Sequence, residues 1–169
     1  MSFPYDRGLT AALTNAALVA GTTSSLTTTV TLVPTLDGKF TTTLAAITNQ
    51  AHPTTDYVTG VAPVALVGGN SVANTPGQGC VGVYGVVAGV VKYIQGGIRG
   101  LDMSGNFRQD GPPAFPGIPA DFTPFAYAIH KAGATAAVSV VVGVASWNAS
   151  GFTSVFVNVS QLPTRPQVA

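Results

Sequence analysis

Few side chains in this sequence can do chemistry. Of its 169 residues two are histidine, one is cysteine and six are acidic, every acid an aspartate. His52 and His130 stand far apart, and no cysteine- or histidine-rich cluster at zinc-site spacing accompanies either. His130 falls in a strand pattern beside Lys131, where it is expected to face solvent or an interface. Cys80 has no partner for a disulfide and reads as a small buried apolar residue. Acid–base catalysis needs titratable groups gathered in a pocket. Asp37 and Asp102 are accounted for by turns, while Asp56 and Asp121 read as loop residues. No G-x-S-x-G supplies a serine nucleophile. GQGCVG, from Gly77 to Gly82, matches G-x-G-x-x-G, but it precedes a strand where a dinucleotide site needs a helix. The expectation is a protein that is not an enzyme and carries no metal and no cofactor.

The elements around these residues are mostly strands. Residues 22–33, TTSSLTTTVTLV, are β-branched and partly alternating, and Asp37-Gly38 is a hairpin turn signal leading into a second strand over 39–48. Thr27, Thr29 and Thr31, with Thr41 and Thr43, fit a wetted outer sheet face. CVGVYGVV, from Cys80, is a strand turned by Ala88-Gly89, and VVKYIQGGIRGL answers it with a bulge at Gly96-Gly97. Asp102 to Gly105 makes the next turn. Pro116, Pro119 and Pro124 then exclude helix and central strand from an irregular, apolar crossing. PFAYAIHKAG follows as a strand, and AAVSVVVGVASW with FTSVFVNVS reads as a last hairpin turned at Asn148–Gly151. Before all of these, Leu9, Leu13, Ala16, Ala17 and Ala20 share one stripe ended by Gly21, which fits a short amphipathic helix better than a secretion signal. The expected fold is all-β, a β-sandwich or small barrel of seven to nine short antiparallel strands with an N-terminal helix. Residues 1–25 form an arm, and residues 26–169 form the β domain with an extended, proline-containing tail.

Charged residues make up only 8% of the chain, against about 25% in ordinary soluble domains, while 46% is hydrophobic. So sparse a set of surface charges suits a protein covered by partners. The formal net charge is +1 and the basic residues are scattered singly, which gives no case for nucleic acid. No run of eighteen apolar residues occurs, so no membrane-spanning helix is expected.

The series LDGKFTTTLAAITNQAHPTTDYVTG, GCVGVYGVVAGVVKYIQGGIRGLDMSGNF, FPGIPADFTPFAYAIHKAG, WNASGFT and QLPTRPQVA resembles small virion structural proteins of tailed bacteriophages, over roughly residues 30–169. The resemblance implies a β-rich, self-associating protein, often trimeric. It is that of a capsid decoration or cement protein, made in the bacterial host cytoplasm and carried on the virion surface, with the major capsid protein as partner. A head or tail fibre with a carbohydrate-binding surface is the alternative. Expected contact residues are Phe3, Tyr5, Leu9 and Leu13 in the arm and Arg165 in the tail, while Phe115, Phe122, Phe125 and Tyr127 around the proline crossing are expected to pack either on their own domain or on a neighbouring subunit.

Overall fold

A computed structural model describes residues 11–12, 18–28, 34–36, 39–40, 43–108, 111–136, 139–159, 162–163 and 165–166. Among these residues there is no helix, and the fold is all-β. In chain order the strands are β1 (Ala11–Ala12), β2 (Val19–Ala20), β3 (Ser25–Thr27), β4 (Pro34–Leu36), β5 (Lys39–Phe40) and β6 (Gln50–Ala51). They continue with β7 (Leu66–Val67), β8 (Gln78–Val87), β9 (Val90–Gly100), β10 (Thr123–Ala132), β11 (Ser139–Val140) and β12 (Phe152–Asn158). These twelve exceed the seven to nine expected because many are two- or three-residue pairings. Most of the expected N-terminal helix lies outside the described residues. Its described positions Ala11–Ala12 and Val19–Ala20 pair as strands with β4 and β3. The expected arm boundary at residue 25 therefore falls inside a small sheet.

The centre is a four-stranded antiparallel sheet in the order β12-β10-β8-β9. β8 and β9 form a hairpin through Ala88 and Gly89, both at positive φ (48° and 76°), the handedness that a two-residue turn between twisted strands requires. Cys80 pairs with Ile98 but Gly82 with Gln95, so β9 carries one extra residue at Gly96-Gly97 and the expected bulge is present. At the far end of β9, Asp102 accepts the Ser104 and Asn106 amides and shapes the turn that brings Phe107 opposite Leu101. Leu36 pairs with Lys39, while the expected turn residues Asp37 and Gly38 lie outside the described residues. The second strand expected over 39–48 is a strand only at Lys39–Phe40, and the described residues 43–48 add no more than a bridge at Leu44.

Both faces of the sheet are buried. On one face Cys80, Tyr84, Tyr93, Ala128 and Phe152 pack under Leu18, Leu26, Leu44, Leu66, Val140, Val142 and Trp147. This cover comes from the sheet β2-β3-β6, the sheet β7-β11 and the crossing between β11 and β12. On the other face Val81, Val83, Ile94, Tyr127 and Ile129 pack with Phe122, and Tyr57, Phe115, Ile118 and Leu162 close around them. The proline crossing is thus the lid of this second face.

Two glycines of β8 explain how large rings lie flat on so narrow a strand. A Cβ on Gly82 would stand 2.3 Å from the Tyr93 ring, and one on Gly85 would stand 2.2 Å from the Phe122 ring. Both contacts are far inside van der Waals separation, so each glycine is the seat of an aromatic ring.

The last hairpin differs from expectation. β12 pairs with β10, from Ala126↔Asn158 to Ala132↔Phe152, and not with the run that starts at Ala136. Among the described residues of that run only Ser139–Val140 is a strand, and it pairs with β7. Turns follow it, with Val144 and Ala145 donating to the Val141 carbonyl and Gly143 at a φ of 82°. The left-handed residue breaks the extended run and drops Trp147 onto the cover sheet, where its amide donates to the Thr23 carbonyl at 2.9 Å.

Candidate functional site

Two regions concentrate polar chemistry or exposed apolar surface. The first is inside the protein. His52, carried beyond β6, and His130, in the middle of β10, enter one aromatic cage from opposite sides. Their ring centroids lie 5.9 and 6.1 Å from that of Trp147, with the His130 ring nearly parallel to the indole. Tyr84, Tyr93, Phe152 and Phe156 complete the cage.

The hydrogen bonds fix the tautomer of His52. Its Nδ1–H donates to the Pro53 carbonyl at 2.7 Å, so Nε2 is bare and accepts from the Tyr84 hydroxyl at 3.0 Å. His130 Nδ1 pairs with Ser154 Oγ at 2.8 Å. The Trp147 indole N–H donates to the Ser25 carbonyl at 2.7 Å, tying the cage to β3. Two buried atoms, Tyr93 Oη and His130 Nε2, have no hydrogen-bond partner among the described residues.

Burial holds both imidazoles neutral. It lowers His52 to about 4, against a smaller opposing pull from the Pro53 carbonyl. It lowers His130 to about 3, helped by repulsion from His52. Burial also raises the Cys80 thiol to about 11 and both tyrosines well above their ordinary range. His130 and Tyr84 are 0% exposed and His52 only 3%, so these groups are closed off from solvent. The expectation of a solvent-facing or interface His130 is corrected. Strand periodicity does assign it to one sheet face, but that face is covered.

The second region is at the surface, where the 56–64 loop crosses the edge of β9. Asp56 is buried and its carboxylate is fully used: Oδ1 accepts the Val58 and Thr59 amides, and Oδ2 accepts the Gln95 amide at 2.6 Å. Gln95 then holds the loop with its side chain, Oε1 accepting from Val64 N and Nε2 donating to Val64 O. Asn158 does the same for Leu18 at the opposite edge of the sheet. Side-chain amides thereby stand in for strand rungs at both edges.

Between the loop and the β9 bulge lies an open groove of about 330 Å³, lined by Val61, Pro63, Val64 and Ile98 with Asp56 and Gln95 at its base. Val58, Val61 and Val64 are 56–63% exposed. Val67 and Val72 extend the series, so five outward valines fall within fifteen residues.

Of the expected contact residues, Phe3, Tyr5, Leu9 and Leu13 lie outside the described residues. Phe122, Phe125 and Tyr127 are at most 1% exposed and enclosed by their own chain, so of the two expected packings these three take the one on their own domain and not the subunit contact. Phe115 is half-buried, edge-on to Tyr127 at 5.0 Å. Arg165 is exposed. The valine series, Asp56 and Gln95 were missed by sequence reasoning. Asp56 followed by Thr59-Gly60 did carry an Asx-turn signal, whereas nothing local marks Gln95 as a clasp. Among the described residues no cluster of metal-ligating side chains is present, and no helix is long and apolar enough to cross a membrane. No protein-family model matches the chain, and no curated protein or solved structure is significantly similar to it.

Proposed function

We propose that this chain is a non-catalytic structural protein of a phage virion, which decorates the capsid and stabilises it by binding across neighbouring major capsid subunits as a homo-oligomer, in the first instance a trimer. The observation that carries this reading is the exposed valine series beside the β9 groove, on a chain with so few charges. Single exposed valines are ordinary, but a run of them with a groove marks a surface made to be covered.

The energetics favour an oligomer. Fully burying a valine contributes roughly 1.5–3 kcal/mol, so Val58, Val61 and Val64 at their present exposure offer together about 3–5 kcal/mol. Association costs about 4–15 kcal/mol in rigid-body freedom, so one ridge does not hold a copy in place. Three ridges carried by one trimer make the second and third contacts intramolecular, and avidity replaces strength per site. The adhesive surface needs no titratable group, which agrees with the closed histidine cage.

The test is a triple variant, Val58→Thr/Val61→Asp/Val64→Asp. It should fold with unchanged circular dichroism and lose binding to purified particles by at least tenfold in co-sedimentation. Full binding by the folded variant would refute the role of the ridge. Binding that is competed by sugars instead of capsid subunits would move the reading to a host-recognition fibre.

A further inference from the structure

The histidine cage is where three parts of the fold meet. His52 directly follows β6 of the cover sheet β2-β3-β6, Trp147 lies in the crossing before β12, and His130 in the central strand β10. The cover is bolted to the crossing through the Trp147 indole on Ser25 and the Trp147 amide on Thr23. It meets the main sheet through His52 on Tyr84. Gly143 lets the crossing close over His52, since a Cβ there would stand 2.1 Å from His52 Nδ1. The other face of the main sheet has its own core of Val81, Val83, Ile94, Phe122, Tyr127 and Ile129. Neither of the chain's two histidines contributes to it.

The surroundings of each imidazole favour the neutral form. His52 is faced by Tyr84 from β8, Tyr93 from β9, Trp147 from the crossing and the Pro53 carbonyl. His130 is faced by Ser154, Phe152 and Phe156 from β12, Tyr93 from β9 and Trp147, with Cys80 opposite it on β8. The tyrosines and the thiol stay protonated, so none of them is a counter-ion. The acid nearest in sequence, Asp56, is committed to three backbone amides. No described carboxylate pairs with either ring.

We infer that the His52–Trp147–His130 packing is an acid-operated latch: protonation of the two imidazoles releases the cover sheet and the Trp147 crossing from one face of the central sheet, while the face closed by the proline crossing stays packed. The sign follows from linkage. In the open state each histidine regains its ordinary affinity for a proton, near 6.5, whereas the closed state binds that proton only near 4 or 3. Between about pH 6 and pH 4 the open state therefore binds up to two more protons. The closed state is fully favoured above that window and loses ground as pH falls. The opening constant should rise by up to about 100-fold per pH unit, and by about tenfold per unit when one of the histidines is gone.

Trp147 is the only tryptophan, so its emission reports the latch directly. The experiment follows Trp147 fluorescence and hydrogen exchange by mass spectrometry from pH 7 to pH 3, with exchange corrected for its intrinsic pH dependence. The parent and the variants His52→Gln and His130→Gln are compared. The expected result is a red shift with a dependence near two protons in the parent and near one in each variant. Peptides of β2, β3, β6 and the 141–151 crossing should lose protection before those of β8 and 111–122. If a variant does not fold, the parent's proton count and its regional order of exchange decide alone. The proposal is overturned if the parent opens with no proton dependence, if both faces lose protection together, or if a folded variant keeps the two-proton slope.

Discussion

Gly85→Ala tests whether the proline crossing is a lid on its own chain. The new methyl would stand 2.2, 2.5 and 2.6 Å from three carbons of the Phe122 ring. Ordinary carbon contacts need about 3.5–4.0 Å, so the ring must retreat by more than an ångström. Phe122 is fully buried and has Tyr57 against it at 5.8 Å, with the Tyr57 hydroxyl donating to Asp121 at 2.6 Å. The ring cannot withdraw without lifting the crossing. Overpacking of this kind costs roughly 1–3 kcal/mol. The backbone entropy gained when alanine replaces a strand glycine returns about 0.5–1 kcal/mol. The net loss should be about 0–2.5 kcal/mol, a fall in Tm of up to about 10 °C for a chain of this size. Phe122→Leu removes the ring that clashes, so in urea denaturation Gly85→Ala/Phe122→Leu should cost at least about 1 kcal/mol less than the sum of the two single variants. Additivity within about 0.5 kcal/mol would refute the placement of Phe122 on Gly85, and with it the lid.

Two further outcomes follow from the same geometry. The Cys80 thiol is buried and pushed up to about 11, so it should resist a thiol reagent at pH 8 in the native protein and react once denaturant opens the sheet; rapid native labelling would contradict its placement. Asn158→Ala removes the clasp on both backbone groups of Leu18, which should cost about 1–3 kcal/mol and expose the Leu18 amide to exchange, whereas an unchanged melting point would show that the clasp does not hold the edge.

What was legible in the sequence was local. Ala88-Gly89, Gly96-Gly97 and Asp102 to Gly105 each announce a turn or bulge through residues adjacent in the chain, and each stands where expected. Several of the failures are questions of partner choice. The run beginning at Ala136 is as apolar and β-branched as β12, but the edge of β10 accepts one strand and β12 takes it. For Phe122, Phe125 and Tyr127 the sequence left own-domain packing and subunit contact both open, and the fold folds the crossing back over β8 and β10. His52 and Tyr84 lie 32 residues apart and share a hydrogen bond that no spacing rule foretells. The groove depends on Gln95 gripping Val64, again a long-range pair.

The central claim is that this chain is a many-copy structural component of a virion. Quantitative mass spectrometry of purified particles from a producing host measures that claim directly, as the ratio of this chain to the major capsid protein. Decoration requires a fixed ratio approaching one copy per capsid subunit, with the chain released as an oligomer when particles are gently dissociated. Absence of the chain from particles, or a few copies per particle confined to the tail, would contradict the account.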